Sequence, residues 1–438
     1  MFKTLRNAFK IKEVRRRILY VVMMLVVVRA GSQIPVPGVN REFFKNWFAS
    51  QTGDAFNFLD AFTGGSFASM SIFALSITPY ITSSIIMQLL TIAIPKLEEM
   101  QRDGEDGRKK IQTITRYLTV GLALMESTAM TIGFGNQGMV TDLNFVKGAV
   151  VVASLTAGSA FLMWAGERIN ERGVGNGISM ILLINIVSRI PSDFVNLYNN
   201  FVKGKTIARG ALAAVIIVAV VLAVTVFVLI LNGGERRIPV QYSKKMVGRK
   251  MMGGQSSNIP LKVNTAGVMP IIFASSIMSF PGIIASFAGK TNGTGIGYEI
   301  LAGMNSSNWF NPSKPIYSIG LVVYLLLLIF FAYFYTSITF NPLEVADNMK
   351  KQGGFIPGIR PGKPTVDYFN TILNYIIFIG AAGLIVIAVI PFFFSGVFKA
   401  QVSFGGTSLI IVVSVILETL KQIESMMLVR NYKGFLND

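Results

Sequence analysis

AFTGGSFASMSIFALSITPYITSSIIMQLLTIAIP, residues 61–95, is too long for one membrane span. As a continuous helix at ~1.5 Å per residue it would reach ~50 Å, and a bilayer core is ~30 Å thick. No charged residue interrupts it, and Gly64-Gly65 and Pro79 punctuate it. A full span needs ~20 residues, which Leu75 to Ile94 supply. The remainder, from about Asn57 to Phe73, is apolar but rich in Gly, Ser and Ala. It is too short to cross and too apolar to sit in water. Two readings stand: an amphipathic helix lying on the outer surface, or a half-helix dipping back into the protein, where buried irregular backbone is tolerated.

The surrounding chain is that of a membrane protein. Of 438 residues, 52% are hydrophobic and 14% charged, and the mean hydropathy is +0.56. This predicts an all-α polytopic fold. Cysteine is absent, so disulfides and thiolate metal sites are excluded. Histidine is absent too, which removes the commonest general base and imidazole ligand. With no Ser/His/Asp set and no paired-carboxylate site, the expectation is a non-enzyme without cofactor or metal. Arg15-Arg16-Arg17 precedes an apolar run from Ile18 with no small-residue cleavage site at its end. This reads as a retained first span rather than a signal peptide.

Ten apolar segments are long enough to cross: about 18–34, 76–94, 114–133, 148–166, 175–191, 210–231, 263–286, 316–337, 371–394 and 404–420. An even number puts both termini on one side. Of the 40 Lys and Arg, 29 fall on that side, ten on the other and Arg29 within the first span. The bias predicts cytoplasmic termini. Arg189, Lys203, Lys205 and Arg209 weaken it without reversing it.

Two long loops lie on the basic side. In 232–262 the alternation around Ile238, Val240 and Tyr242 predicts a β-hairpin with a basic tip at 244–250. In 338–370, Asn341-Pro342 opens a turn, 343–351 has helical spacing, and 356–362 is a rigid Pro/Gly segment. Charge count alone makes both loops solvated surface; Pro and Gly flanking single apolar residues suggest a surface shaped for a partner. GIRPGKPT at 358–365 is one residue short of a phosphate loop, and Pro364 stands where Ser or Thr would bind magnesium. GVGNG at 173–177 lacks the strand that precedes a dinucleotide loop. Within the spans, ionisable groups are few: Arg29, which can snorkel, Glu126, and Glu418 at the end of the tenth.

These residues carry a resemblance. The chain resembles the SecY family, the channel-forming subunits of the bacterial protein translocase, over nearly its whole length. The carriers are RAGSQIPVPG at 29–38, SIFALSITPYITSSIIMQLL at 71–90, EDGRKK at 105–110 and FLMWAGERINERGVGNGIS at 161–179. PLKVNTAGVMPIIFASS at 260–276, FNPLEVADNMKKQGGFIPGIRPG at 340–362 and FGGTSLIIVV at 404–413 complete the set.

The resemblance implies two pseudo-symmetric five-helix halves, 18–191 and 192–420, between a basic N-terminus (1–17) and a tail (421–438). It resolves the opening stretch as a short plug helix at about 60–73: Asp60, Ala61, Phe62, Thr63, Gly64, Gly65, Ser66, Phe67, Ala68, Ser69, Met70 and on to Phe73. It assigns a mid-membrane aliphatic ring to Ile77, Ile81, Ile178, Leu182, Ile272 and Ile411. A ring without hydrogen-bonding groups can gate by dewetting and grips no solute. A lateral gate would open between the second and third spans and the seventh and eighth, with Glu126, Asn264 and Thr265 as polar groups along the seam. Arg249, Lys250 and Arg360 would meet the driving partner. Implied partners are SecE and SecG, the SecA ATPase or a ribosome, signal sequences, secretory or nascent polypeptides and membrane lipids, in a bacterial cytoplasmic (inner) membrane. The rival readings are a small-solute secondary transporter, which needs a polar midplane site, and a pore-less docking scaffold, which leaves the plug segment without a role.

Overall fold

The computed structural model describes residues 2–42, 44, 46, 60, 62–135, 144–199, 203, 207–242, 245–247, 250–252, 256–287, 296–304, 309, 315–398 and 406–434. Its helices in the first half are α1 (Phe2–Lys10), α2 (Lys12–Gly31), α3 (Thr78–Ala93), α4 (Pro95–Arg102), α5 (Glu105–Gly135), α6 (Phe145–Arg172) and α7 (Gly177–Leu197). Then come α8 (Ile207–Gly233), strands β1 (Glu235–Tyr242), β2 (Lys245–Val247), β3 (Lys250–Met252) and β4 (Ser256–Lys262), α9 (Met269–Phe287) and α10 (Ile296–Met304). The chain closes with α11 (Ser318–Thr339), α12 (Pro342–Lys351), β5 (Gly354–Phe355), α13 (Lys363–Phe398) and α14 (Gly406–Gly434).

Each of the ten predicted spans falls on a helix. Six described helical stretches are long and apolar enough to cross a bilayer, and the bent pair α3–α4 makes a seventh. The other three predicted spans coincide with α2, α9 and α14. Helices α2 and α14 carry charged residues, and the apolar stretch described in α9 is Met269–Met278. Side chains such as Val215, Val218, Leu222, Val226 and Ile230 stand exposed along α8, as a lipid-facing helix requires, because lipid solvates them as well as a core would.

Local chemistry sets the helix starts. Asn176 accepts from the Ile178 and Ser179 amides at 3.1 and 3.4 Å and caps α7. Asn341 does the same for Leu343 and Glu344 at the start of α12. Pro95 occupies the first turn of α4, and the axis turns by 107° from α3 into α4. The second span thus ends near Ile94, as the length argument predicted.

The two basic loops form one folded unit. β1 and β4 pair antiparallel from Glu235–Lys262 to Gln241–Ser256, and β2 and β3 form a separate short antiparallel pair. β5, from the other loop, pairs with β1 at Gln241–Phe355 and Tyr242–Gly354, giving the order β4-β1-β5. Ile238, Val240, Leu261, Ala346, Met349, Ile356 and Phe369 bury a shared core beneath this sheet. The predicted hairpin and the predicted helix are both present. Their union through a third strand is new information, because a two-residue strand has no sequence period to read.

α1 and α2 meet α14 through Ala8, Val14, Val174 and Ile423. The largest apolar cluster runs through both halves of the chain and includes Val28, Ile77, Leu162, Leu182, Ile272, Leu328, Leu384 and Ile411.

Candidate functional site

The described residues of 60–77 enter the protein, and most of them are buried there. Asp60, Phe62, Thr63, Ser66, Phe67, Met70, Ser71, Phe73 and Ser76 are all buried, Asp60 with 2% of its surface exposed. The surface-helix reading of the opening stretch is therefore replaced by the re-entrant one. Within 60–73 the described helical residues are 60, 62 and 63, and turns, with a bridge at Ser71, carry the chain from 64 to 77. Positive φ at Gly64 (66°), Gly65 (86°), Met70 (44°) and Ser76 (53°) explains why the helix does not continue. Met70 and Ser76 have side chains, so their backbone is strained. The surroundings hold it: a bridge pairs Pro35 with Ser71, with Val36 N–H to Met70 O and Ile72 N–H to Ile34 O both at 3.0 Å. Ala61 lies outside the described residues.

Polar side chains from three helices fix this segment. Arg29 of α2 donates to the Gly64 carbonyl at 3.1 Å. Ser159 of α6 donates to the Ser76 carbonyl at 3.2 Å. Asn185 of α7 donates to the Phe62 carbonyl at 3.0 Å. One turn further along α7, Arg189 pairs with the Asp60 carboxylate. The other Asp60 oxygen accepts the Ala68 amide at 2.8 Å. Gly64 is required twice over: its φ suits glycine, and a β-carbon would lie 2.8 Å from the Arg29 guanidinium and 2.9 Å from the Asn185 backbone.

The six ring candidates fall in one apolar cluster. Ile77 sits at the N-cap of α3 and Ile81 one turn on; Ile178 and Leu182 share one face of α7. With Ile272 of α9 and Ile411 of α14 they belong to one apolar cluster, to which Phe62 and Phe73 of the re-entrant segment also belong. Ile77, Leu182, Ile272 and Ile411 are buried, and Ile81 and Ile178 partly so. The re-entrant segment and the six aliphatic candidates thus contribute to the same apolar cluster.

Other predicted residues distribute differently. Helices α5 and α9, which the expected seam would separate, are in direct contact. Glu126 lies half-buried on α5. Asn264 instead donates to the Asn232 side chain at 2.8 Å, and Asn232 to Ser414 at 2.8 Å, so it ties β4–α9 to α8 and α14 inside the second half. Thr265 closes a local turn onto the Lys262 carbonyl at 2.6 Å. Arg360 is exposed beside β5, on the segment whose Ile356 anchors in the loop core. Arg249 lies outside the described residues, and of Lys250 only the backbone, in β3, is described.

Sequence reasoning missed Asn185, Arg189 and Ser159. A signal existed. Asp60 is an acid at the head of an uncharged apolar stretch and needs a counter-ion if buried. Arg189 was among the cations on the wrong side of the charge bias.

A SecY family model matches residues 71–420. The chain belongs to the SecY family. The protein translocase subunit SecY of Halalkalibacterium halodurans is 42% identical over the full length of both chains. That of Corynebacterium glutamicum is 41% identical, covering 98% of this chain and 99% of its own. Among solved structures, a protein-conducting channel superposes with a TM-score of 0.65 at 16% identity, covering 96% of each chain. A SecY structure described by a plug domain that stabilises the closed state superposes with a TM-score of 0.61 at 17% identity, again with 96% of each chain covered. At these identities the structures speak for the fold, and the full-length SecY relatives for the family.

Proposed function

We propose that this multi-pass membrane protein is the central protein-conducting channel of a Sec translocase, passing unfolded polypeptides across the membrane and releasing apolar segments sideways into lipid. The observation that supports this reading is a largely buried re-entrant segment whose Phe62 and Phe73 share one apolar cluster with the six aliphatic candidates. In the closed state the plug 60–73 caps the collar of Ile77, Ile81, Ile178, Leu182, Ile272 and Ile411. An apolar collar excludes water and ions when empty. A passing chain replaces the plug's contacts without needing a particular sequence, because the collar offers no hydrogen bonds.

A signal sequence, being an apolar helix, would wedge between α3–α5 and α9–α11, where Glu126 and Thr265 supply polar edges. The energy comes from outside the chain, so the protein acts as a channel rather than an enzyme. The joined loop unit of β1–β5 and α12 is the docking surface for SecA or a ribosome, with Arg249, Lys250 and Arg360 as cationic contacts. Arginine suits acidic protein surfaces and RNA phosphate alike. SecE and SecG are the expected companions, in a bacterial inner membrane. The packing of α1 against α14 supports placement of both terminal helices on one side, which the charge bias makes cytoplasmic.

The test is conductance across planar bilayers. Addition of a signal peptide opens the channel, and no small solute is exchanged in counterflow. Solute counterflow without peptide-dependent opening would favour the transporter reading.

A further inference from the structure

Among the described residues, the side chains from outside the plug that bond to it stand on α2, α6 and α7. One of them differs in kind from the others. Arg29, Ser159 and Asn185 hold backbone carbonyls, which any plug sequence offers. Arg189 holds a side-chain charge, Asp60, which is 2% exposed. Arg189 itself is largely buried, with 20% of its side chain exposed. A second buried acid, Asp193, stands four residues further along the same helix and acts electrostatically on Arg189. Residues four apart share a helix face. The guanidinium therefore pairs with a carboxylate on the plug and shares a helix face with a second, buried carboxylate on the wall.

We propose that Asp60–Arg189 is the charge latch of the resting plug, and that Asp193 is the counter-ion that keeps Arg189 once the plug departs. Arg189 and Asp193 are thus positioning residues for the gating step. This inference rests on the channel reading above.

The electrostatics fix the sign of each variant. A plug that left an isolated guanidinium behind would strand a buried charge, and opening would be slow. With Asp193 on the same helix, departure exchanges one ion pair for another, while Asp60 regains water. Closure in turn puts two carboxylates around one cation. Asp193 therefore lowers the cost of opening, while Asp60 raises it. Removing Asp60's charge loosens the closed state. Removing Asp193's charge tightens it, because Asp60 then has the cation to itself and leaving strands it.

The experiment measures resting ion conductance of the full-length protein in planar bilayers, beside signal-peptide-dependent opening, for wild type, Asp60→Asn, Asp193→Asn and the exchange Asp60→Arg/Arg189→Asp. Asp60→Asn is expected to raise resting conductance roughly tenfold. Asp193→Asn lowers it and raises the signal-peptide concentration needed to open. The exchange returns resting conductance toward wild type. Neutral substitution at both acids moving conductance the same way, or an exchange variant as leaky as Asp60→Asn, overturns the latch. Ile81→Asn is measured alongside: if it leaks while Asp60→Asn does not, the latch fails and the channel reading stands. If no variant conducts and no signal peptide opens the wild type, the channel reading fails first.

Discussion

The carbonyl oxygen of Ile72 lies against the Cα of Gly158, so close that a β-carbon on residue 158 would overlap it. The neighbour is backbone, not the tip of a flexible side chain, so the segment from 72 to 76 cannot yield locally. Gly158→Val should push the plug off its seat on α6. Overpacking of this kind costs about 1–3 kcal/mol. The expected outcome is a folded protein with raised resting conductance. Gly148→Ala, with Thr131 Cγ2 3.9 Å from the added carbon, is the matched control and should be silent.

Ile81 packs, partly buried, against the apolar cluster that also holds Phe62 and Phe73, and the proposed function makes it part of the collar. Asparagine there places an amide that water can follow into the constriction. Ile81→Asn is expected to raise resting conductance with a loss of stability of about 1–3 kcal/mol. Conductance equal to wild type would remove Ile81 from the collar.

How far the sequence could be read depends on what kind of signal each element leaves. The spans were legible because burial in lipid demands a long apolar run. The hairpin at 235–262 was legible because Ile238 and Val240 alternate with polar residues. The collar was not legible from pattern: Ile178 and Leu182 look like any apolar pair on a membrane helix, and only the family resemblance singled them out. The plug was half legible. Its length overrun showed, but its internal path did not, because Met70 and Ser76 adopt a left-handed backbone that their residue types do not announce. The contacts that seat it join residues 123 positions apart, Asn185 to Phe62 among them, and such pairings leave no local mark.

The loop unit predicts a separation of function from stability. Arg360 is exposed and makes no part of the loop core. Arg360→Glu should lower partner-driven transport about tenfold and leave the melting temperature unchanged. Gly354→Val should do both kinds of damage, since its β-carbon would sit 2.9 Å from Met349 Cγ and from Tyr242 Cε1. Transport assays paired with thermal unfolding in detergent distinguish them.

Glu167 is buried on α6 and receives Arg116 Nε at 2.8 Å and Gln112 Nε2 at 3.1 Å from α5. These bonds fasten the third span, one wall of the gate seam, to the fourth. Glu167→Gln removes the charge but keeps the shape. A loss of about 1.5–3 kcal/mol is expected, as for hydrogen bonds to a charged group. Thermal unfolding at low and high salt measures it, and the loss should persist in high salt because the carboxylate is buried.

The central claim is that a translocating chain passes through the collar. The absence of cysteine in the wild-type chain makes the most direct measurement a disulfide crosslink between a cysteine placed at Ile81 and one midway along a stalled secretory polypeptide. Cysteines at Leu89 and Leu124, both exposed on the helix surface, serve as lipid-facing controls. The account predicts a crosslink at residue 81 that requires an intact signal sequence, and none at the controls. Crosslinks confined to residues 89 and 124 would contradict it.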